Sequence, residues 1–369
     1  LDEIAASVCN GEVCVTFRHA PPLTLHGIDL PRTDGNSPVM VDADGCTAYY
    51  SHYIPRGHTY RRDGSAGLHF TRDPVPVRFV DDPDPETGKW IEAVWPAADG
   101  AGLYGLFHAE MLAPCEHPLF LPEIRIGRSA DNGLSWTSGG TILRAPETQT
   151  DCSYRNGFFA GGFGDLSALP DRAGRFHYIA FTSFVAEEAA QGIAMARLDS
   201  ADPLGAGLQW WTRDGWRPAG EMDALPQPLW PMRRGWRHSD PDGFWGPAVH
   251  YNRGLDAYVM LLNRTAGGNG DLVQEGIYAA FNNDLADPHG WSTPLRIVAG
   301  GGWYPQAIGL QPGCSDTLVD GAARFFMGGY SAWTVDFARA ERPDIADRPL
   351  RPTRAMFADL FGTRHKAPW

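Results

Sequence analysis

The sequence predicts an all-β protein, a five-bladed β-propeller with four-stranded antiparallel blades, and three observations predict it. Five segments repeat one outline: a short apolar strand, a turn and a second apolar or aromatic strand. The three middle segments continue into a third and a fourth strand, which sets a period of roughly 70 to 80 residues. The composition agrees, because Gly 43 and Pro 30 supply many turns, only 20% of residues are charged, and Trp 13, Tyr 12 and Phe 18 supply flat rings.

Blade one, over 31–80, begins with Ser37 to Val41, turns at Asp42 to Gly45 and returns through Ala48 to Tyr53. Blade two, over 88–147, runs from Glu92 to Trp95, turns at Ala98 to Gly100 and returns through Leu103 to His108. Its third strand starts at Ile124, and its fourth follows the corner Trp136-Thr137. Blade three, over 155–222, uses Asp165 to Leu169, Phe176 to Ser183, a strand from Gly192 and the corner Trp211-Thr212. Blade four, over 240–298, uses Pro247 to His250, Ala257 to Asn263, a strand from Gly276 and the corner Trp291-Ser292. Blade five, over 300–340, uses Gln306 to Gly309 and Arg324 to Tyr330. A strand within 11–20 completes the last blade and closes the ring, which removes the free edges of an open array. A single domain over 1–369 is expected.

A formal charge of −13 without a long Lys/Arg run argues against nucleic acid or an anionic membrane surface as partner. The apolar stretches are strand-sized, so no membrane insertion is expected. Six cysteines without a CxxC pair suit disulfides better than zinc, and the start at Leu1 suggests a processed chain. A secreted or periplasmic protein is the expectation. His238-Ser239-Asp240-Pro241-Asp242 is a single ligand cluster without partners, so no metal is expected there. No cofactor is expected, with calcium in the channel left open.

In a four-stranded blade, the start of strand one, the end of strand two and the start of strand three meet at one channel mouth. Those positions carry Glu92 and Asp165, flanked by apolar or Gly residues that would dehydrate them. Two such carboxylates from different blades suit glycosidic cleavage, one protonating the leaving oxygen and one acting on water or carbon. Carboxylates at a channel mouth also serve to cap backbone amides. His108-Ala109-Glu110 places two polar side chains on one face, which makes Glu110 a third catalytic candidate and His108 a substrate contact. Asn36, Gln306 and Glu275 are further binding candidates, with Trp245, Trp303 and Tyr304 as stacking platforms for a sugar ring. Arg264 is expected either to hold a sugar carboxylate or to neutralise Glu275. The Gly-rich run Asn156 to Asp165 precedes a strand, not a helix, so a close approach of backbone to ligand is expected and not a phosphate loop.

These residues and the repeat resemble the five-bladed propeller glycoside hydrolases, which include family 43 arabinanases and xylosidases, family 32 fructosidases and family 117 agarooligosaccharide hydrolases. The resemblance implies an Asp base in blade one, a supporting Asp and a Glu acid in a later blade, and Glu92 and Asp165 match that kind of position. The chain departs from the pattern in two blades. Blade one has Asn36 and Ser37 where an Asp is usual, with Asp29 and Asp34 nearby; blade four has Phe244-Trp245-Gly246-Pro247 where Glu-Gly-Pro is usual. Ser129 to Trp136 also resembles the sialidase Asp box, a structural turn, although sialidases usually have six blades and an arginine triad, for which Arg32, Arg155 and Arg264 are the available residues.

The leading functional expectation is a glycoside hydrolase acting on an oligosaccharide or polysaccharide. A polysaccharide lyase, with His108 or a tyrosine as base and Arg264 on a uronic acid, and a non-catalytic glycan-binding propeller are the alternatives.

Overall fold

The computed structural model describes residues 4–26, 33–41, 45–52, 57–65, 67–70, 72–204, 207–220, 224–268, 272–340 and 347–352. They form five antiparallel sheets, the five blades of a β-propeller. From the channel outward, blade I holds Val39–Val41, Cys46–His52, His58–Gly64 and Val75–Pro76. Blade II holds Gly88–Pro96, Leu103–Leu112, Phe120–Ser129 and Ser135–Leu143. Blade III holds Phe163–Pro170, Phe176–Ser183, Gly192–Asp199, Gln209–Thr212 and Gly215–Pro218. Blade IV holds Asp242–Asn252, Ala257–Ala266, Gln274–Asn282 and Leu295–Ala299. Blade V starts with Pro305–Gly309, Ala323–Met327 and Tyr330–Arg339, and the beginning of the chain adds Val13–Thr24 and Ile4–Cys9.

Both faces of a blade are covered by its neighbours, so the inner strands read as near-continuous apolar runs. One core joins Ala93, Leu106 and Ile124 of blade II to Phe163, Leu166 and Ile179 of blade III. Another joins Tyr178 and Met195 of blade III to Val249 and Met260 of blade IV. A third joins Val259 and Ile277 of blade IV to Phe325 and Val335 of blade V. The ring closes where Val13–Thr24 pairs antiparallel with Tyr330–Arg339, and the Cys9–Cys14 disulfide ties that hairpin.

Several local details differ from the sequence reading. The third strands of blades II and IV begin at Phe120 and Gln274, ahead of Ile124 and Gly276, since Pro122-Glu123 and Gln274-Glu275 interrupt the apolar pattern within them. In blade III, Trp211 lies inside the fourth strand and Thr212 turns into a fifth. Short parallel pieces, Arg78–Phe79 beside Ser135 and Trp136, and Leu318–Val319 beside Tyr251 and Asn252, widen two blades beyond four strands. They carry too few residues to show a period. Asp29, Arg32, Tyr53 and the turn residues Asp42 to Asp44 lie outside the described residues.

At the corner of blade II, Asp131 accepts from the Ser135 backbone N–H at 2.8 Å and from its hydroxyl at 2.6 Å. Trp136 is buried against Tyr49 of blade I and Phe107 of blade II. The Gly-rich run before blade III approaches protein, not an open site. An added Cβ at Gly161 would stand 2.4 Å from the Gln149 carbonyl, and one at Gly162 2.4 Å from the Pro122 carbonyl.

Candidate active site

The innermost strands of blades II, III and IV each break register, between Ile91 and Ala93, between Gly164 and Leu166, and between Trp245 and Ala248. A bulge leaves a residue out of the ladder and turns its side chain to a new direction. Glu92 and Asp165 are the residues so turned in blades II and III. Asp165 has φ 43 and Tyr304, at the entrance to the inner strand of blade V, has φ 53, both in the left-handed region that side chains disfavour.

The two bulges bring Glu92 and Asp165 together with His108: one polar atom from each lies within 4.8 Å of the others. The Tyr304 hydroxyl donates to Asp165 Oδ1 at 3.1 Å, and the Asp165 backbone N–H donates to His108 Nδ1 at 3.1 Å. Glu92 Oε2 accepts the Leu166 N–H at 2.5 Å, and the carboxylate also receives the Asn36 backbone N–H. Its Oε1 stands where only a glycine fits, because a Cβ on Gly35 would come within 2.4 Å of it. Glu92 therefore braces the entrance of blade I against the inner strand of blade III.

Burial, then the charge of Asp34, pushes the Asp165 carboxyl up to about 7, while the Tyr304 bond pulls it back. Burial, then Asp165, holds Glu92 well above the carboxylate range. Burial lowers His108 to about 3 and raises Tyr304, so the imidazole and phenol are both neutral near pH 7. Like charges this close in a dry site cannot both ionise, so at neutral pH the buried carboxyls of Glu92 and Asp165 hold protons between them.

The other expected residues are placed as follows. Glu110 Oε1 is 3.7 Å from His108 Nε2, on the far side of the imidazole from Asp165. Asn36 Nδ2 donates to the carbonyls of Leu166 and Pro247, both at 2.7 Å, tying blades I, III and IV across the channel. Gln306 clasps Ser37 through both its N–H at 2.8 Å and its carbonyl at 3.1 Å, tying blade V to blade I. Trp245 is buried, with Trp303 and Tyr304 edge-on to it at 5.3 and 5.6 Å, so it backs the site and offers no face to a sugar. Trp303 is half-buried. Arg264 pairs with Asp242 at 2.8 Å, and Glu275 pairs with Arg296 at 2.9 Å, so Arg264 and Glu275 do not neutralise each other.

The residue that sequence reasoning underrated is Asp34. It is half-buried, its N–H donates to the Ser51 carbonyl at 2.9 Å, and its charge reaches Glu92, Asp165 and Tyr304. An Asp-Gly pair just ahead of an innermost strand was the available signal. Calcium fits the trio poorly. It takes six to eight oxygen ligands, whereas His108 Nδ1 already accepts an N–H and Glu92 Oε2 already accepts another.

No family model matches the sequence, and no curated protein matches it. Solved structures do match in fold. An inulosucrase from Halalkalicoccus jeotgali aligns with a TM-score of 0.53 over 94% of this chain and 96% of its own, at 10% identity. A family 43 β-1,3-galactosidase aligns at 0.51 over 91% of this chain and 98% of its own, at 12% identity. An exo-β-1,3-galactanase from Clostridium thermocellum aligns at 0.51 over 91% of this chain and 64% of its own, at 11% identity. The chain has the five-bladed propeller fold of these carbohydrate-active enzymes. Within that propeller, Asp34, Glu92 and Asp165 come from three consecutive blades, and Trp245 stands in blade IV where the sequence resemblance had implied a Glu acid.

Proposed function

We propose that the protein is a glycoside hydrolase acting on a neutral oligosaccharide or polysaccharide, with Asp165 as general acid and Asp34 as its ionised partner. The observation that carries this reading is the Asp165 carboxyl, buried beside the Asp34 charge and lifted to about 7. A carboxylic acid that keeps its proton near neutral pH can deliver it to a leaving glycosidic oxygen. The second carboxylate, half-buried Asp34, then acts on water or on the anomeric carbon. Glu92 supports the pair, since its oxygens hold the Leu166 and Asn36 amides. Glu110 lies beyond His108 and contributes at the rim.

A neutral sugar is favoured because Arg264, the cation a uronic acid would need, is engaged by Asp242. The fold shared with carbohydrate-active enzymes supports the hydrolase reading. We read the Ser129–Trp136 turn as a structural Asp box on the strength of the Asp131 bonds. We place the protein outside the cytoplasm, supported by its Cys9–Cys14 and Cys115–Cys152 disulfides. No helix among the described residues is long and apolar enough to cross a membrane.

The test is reducing-end release and ultraviolet absorbance on a panel of plant, algal and bacterial glycans. Asp165→Asn and Asp34→Asn are expected to lose about 10² to 10⁴ of turnover, and Glu92→Gln to lose less. Turnover that survives Asp165→Asn, or products that absorb as unsaturated uronic acids, would overturn the reading.

A further inference from the structure

The Asp165 backbone is unusual twice over. It sits at φ 43, and the register shift between Gly164 and Leu166 takes its N–H out of the pairing with Phe176–Ser183. A buried N–H that leaves a ladder needs another acceptor. His108 Nδ1, on the second strand of blade II, is that acceptor at 3.1 Å. The bond settles the tautomer: Nδ1 carries no hydrogen, so the neutral ring holds its proton on Nε2. Nε2 lies 3.7 Å from Glu110 Oε1, outside hydrogen-bond reach, and has no other partner among the described residues. The imidazole thus makes one hydrogen bond, to the backbone of Asp165. The sequence leaves room for it, because a Cβ at Gly164 would stand 2.8 Å from His108 Cε1. Trp90, with its ring centre 5.3 Å from the imidazole, covers another side.

We propose that His108 is a positioning residue that holds the Asp165 backbone in its left-handed conformation through Nδ1, and so directs the Asp165 carboxyl toward Asp34 and Glu92. The role is neither acid–base nor substrate contact. It acts on the reaction only through Asp165, so its kinetic consequences rest on the assignment of Asp165 as the acid. Its structural content does not.

Two substitutions separate this role from simple packing. In His108→Asn the amide oxygen takes the place of Nδ1 and still accepts the Asp165 N–H. In His108→Gln the amide reaches the place of Nε2 and leaves the Asp165 N–H without an acceptor. On the panel glycan that the unaltered protein hydrolyses fastest, kcat for His108→Asn is expected to stay within about fivefold of the unaltered protein. His108→Gln is expected to lose about a hundredfold, as a misplaced catalytic group does, with KM unchanged in both. A crystal structure of His108→Gln should show Asp165 out of the left-handed region. Equal losses in the two variants, or a Gln variant with intact kcat and unmoved Asp165, would overturn the proposal. Nitrogen-15 NMR of the unaltered protein needs no turnover: a His108 ring protonated on Nε2 alone from pH 5 to 8 supports it, and a proton on Nδ1 overturns it. A protein with the expected tautomer and no hydrolysis of any glycan would sink the hydrolase reading and leave this one standing. If His108→Gln does not fold, the His108→Asn kinetics and the tautomer decide.

Discussion

Tyr304 and Asp165 are 139 positions apart in the chain and meet at 3.1 Å, the phenol of blade V donating to a carboxyl of blade III. Both have positive φ, so each backbone is bent toward the contact at some conformational cost. Since burial keeps Tyr304 neutral, the bond is a steady donor that favours the ionised form of Asp165 and offsets part of the effect of burial.

Tyr304→Phe removes that donor and nothing else of comparable size. The Asp165 carboxyl then moves further up, and the acid holds its proton to higher pH. The alkaline limb of kcat/KM is expected to shift upward by roughly half a unit to one unit, the worth of one hydrogen bond. A pH–rate profile of the variant checks this, and a limb that stays put or moves down would separate Asp165 from the acid role.

Gln306 makes its two bonds to Ser37 across the closure of blade V on blade I, without touching the carboxylates. Gln306→Ala leaves a buried N–H and carbonyl unpartnered and is expected to lower stability by about 2 to 4 kcal/mol. Turnover should stay within about threefold once the protein is folded. Urea unfolding gives the first number and initial rates give the second. Full stability would mean the clasp is replaced by water.

The propeller was legible because it is written locally. A strand, a glycine turn and a strand recur, and each needs only its own residues to be recognised. Glu92 and Asp165 were legible for the same reason, lying on innermost strands. What they do was not. The bulges at Ile91/Ala93 and Gly164/Leu166 decide where those carboxyls point, and a bulge depends on the partner strand. Asp34 precedes Val39–Val41 by a loop whose path has no periodicity to read. Trp245 looked like a platform because tryptophan composition says nothing of which face is covered. Asn36 and Gln306 looked like ligands for sugar, since polar residues at a channel mouth also serve as staples between blades.

His250 lies on the inner strand of blade IV against Phe337, and burial lowers its imidazole to about 3. Below pH 6.5 the unfolded chain binds a proton there while the folded chain does not, so the stability contributed by neutral His250 is lost as pH falls from about 6.5 toward 3. By pH 5 the loss is about 2 kcal/mol for this one residue. His250→Asn should flatten the acid side of the stability curve by about that amount, whatever its effect at pH 8. Parallel curves for the two proteins between pH 8 and 5 would mean that His250 takes up its proton while folded.

The Cys115–Cys152 disulfide joins the loop after the second strand of blade II to the loop that leads into the strand of Asp165. Around it, the Phe120 N–H donates to the Phe158 carbonyl and the Phe120 carbonyl accepts from the Ala160 N–H, Asn156 holds Phe158 and Phe159, and Arg237 pairs with Asp151. The bridge closes a sequence separation of 37, against 5 for Cys9–Cys14, so loop entropy assigns it the larger share of stability, about 4 kcal/mol against about 2. Cys115→Ser with Cys152→Ser is therefore expected to lower the melting temperature more than Cys9→Ser with Cys14→Ser. It should also weaken turnover, because the segment it frees carries the backbone that ends at Asp165. The first pair of changes affecting melting and activity together, and the second affecting melting alone, is the expected pattern. A Cys115/Cys152 variant with undiminished kcat would show that the protein bonds around Asn156 and Asp151 suffice to hold the approach to Asp165.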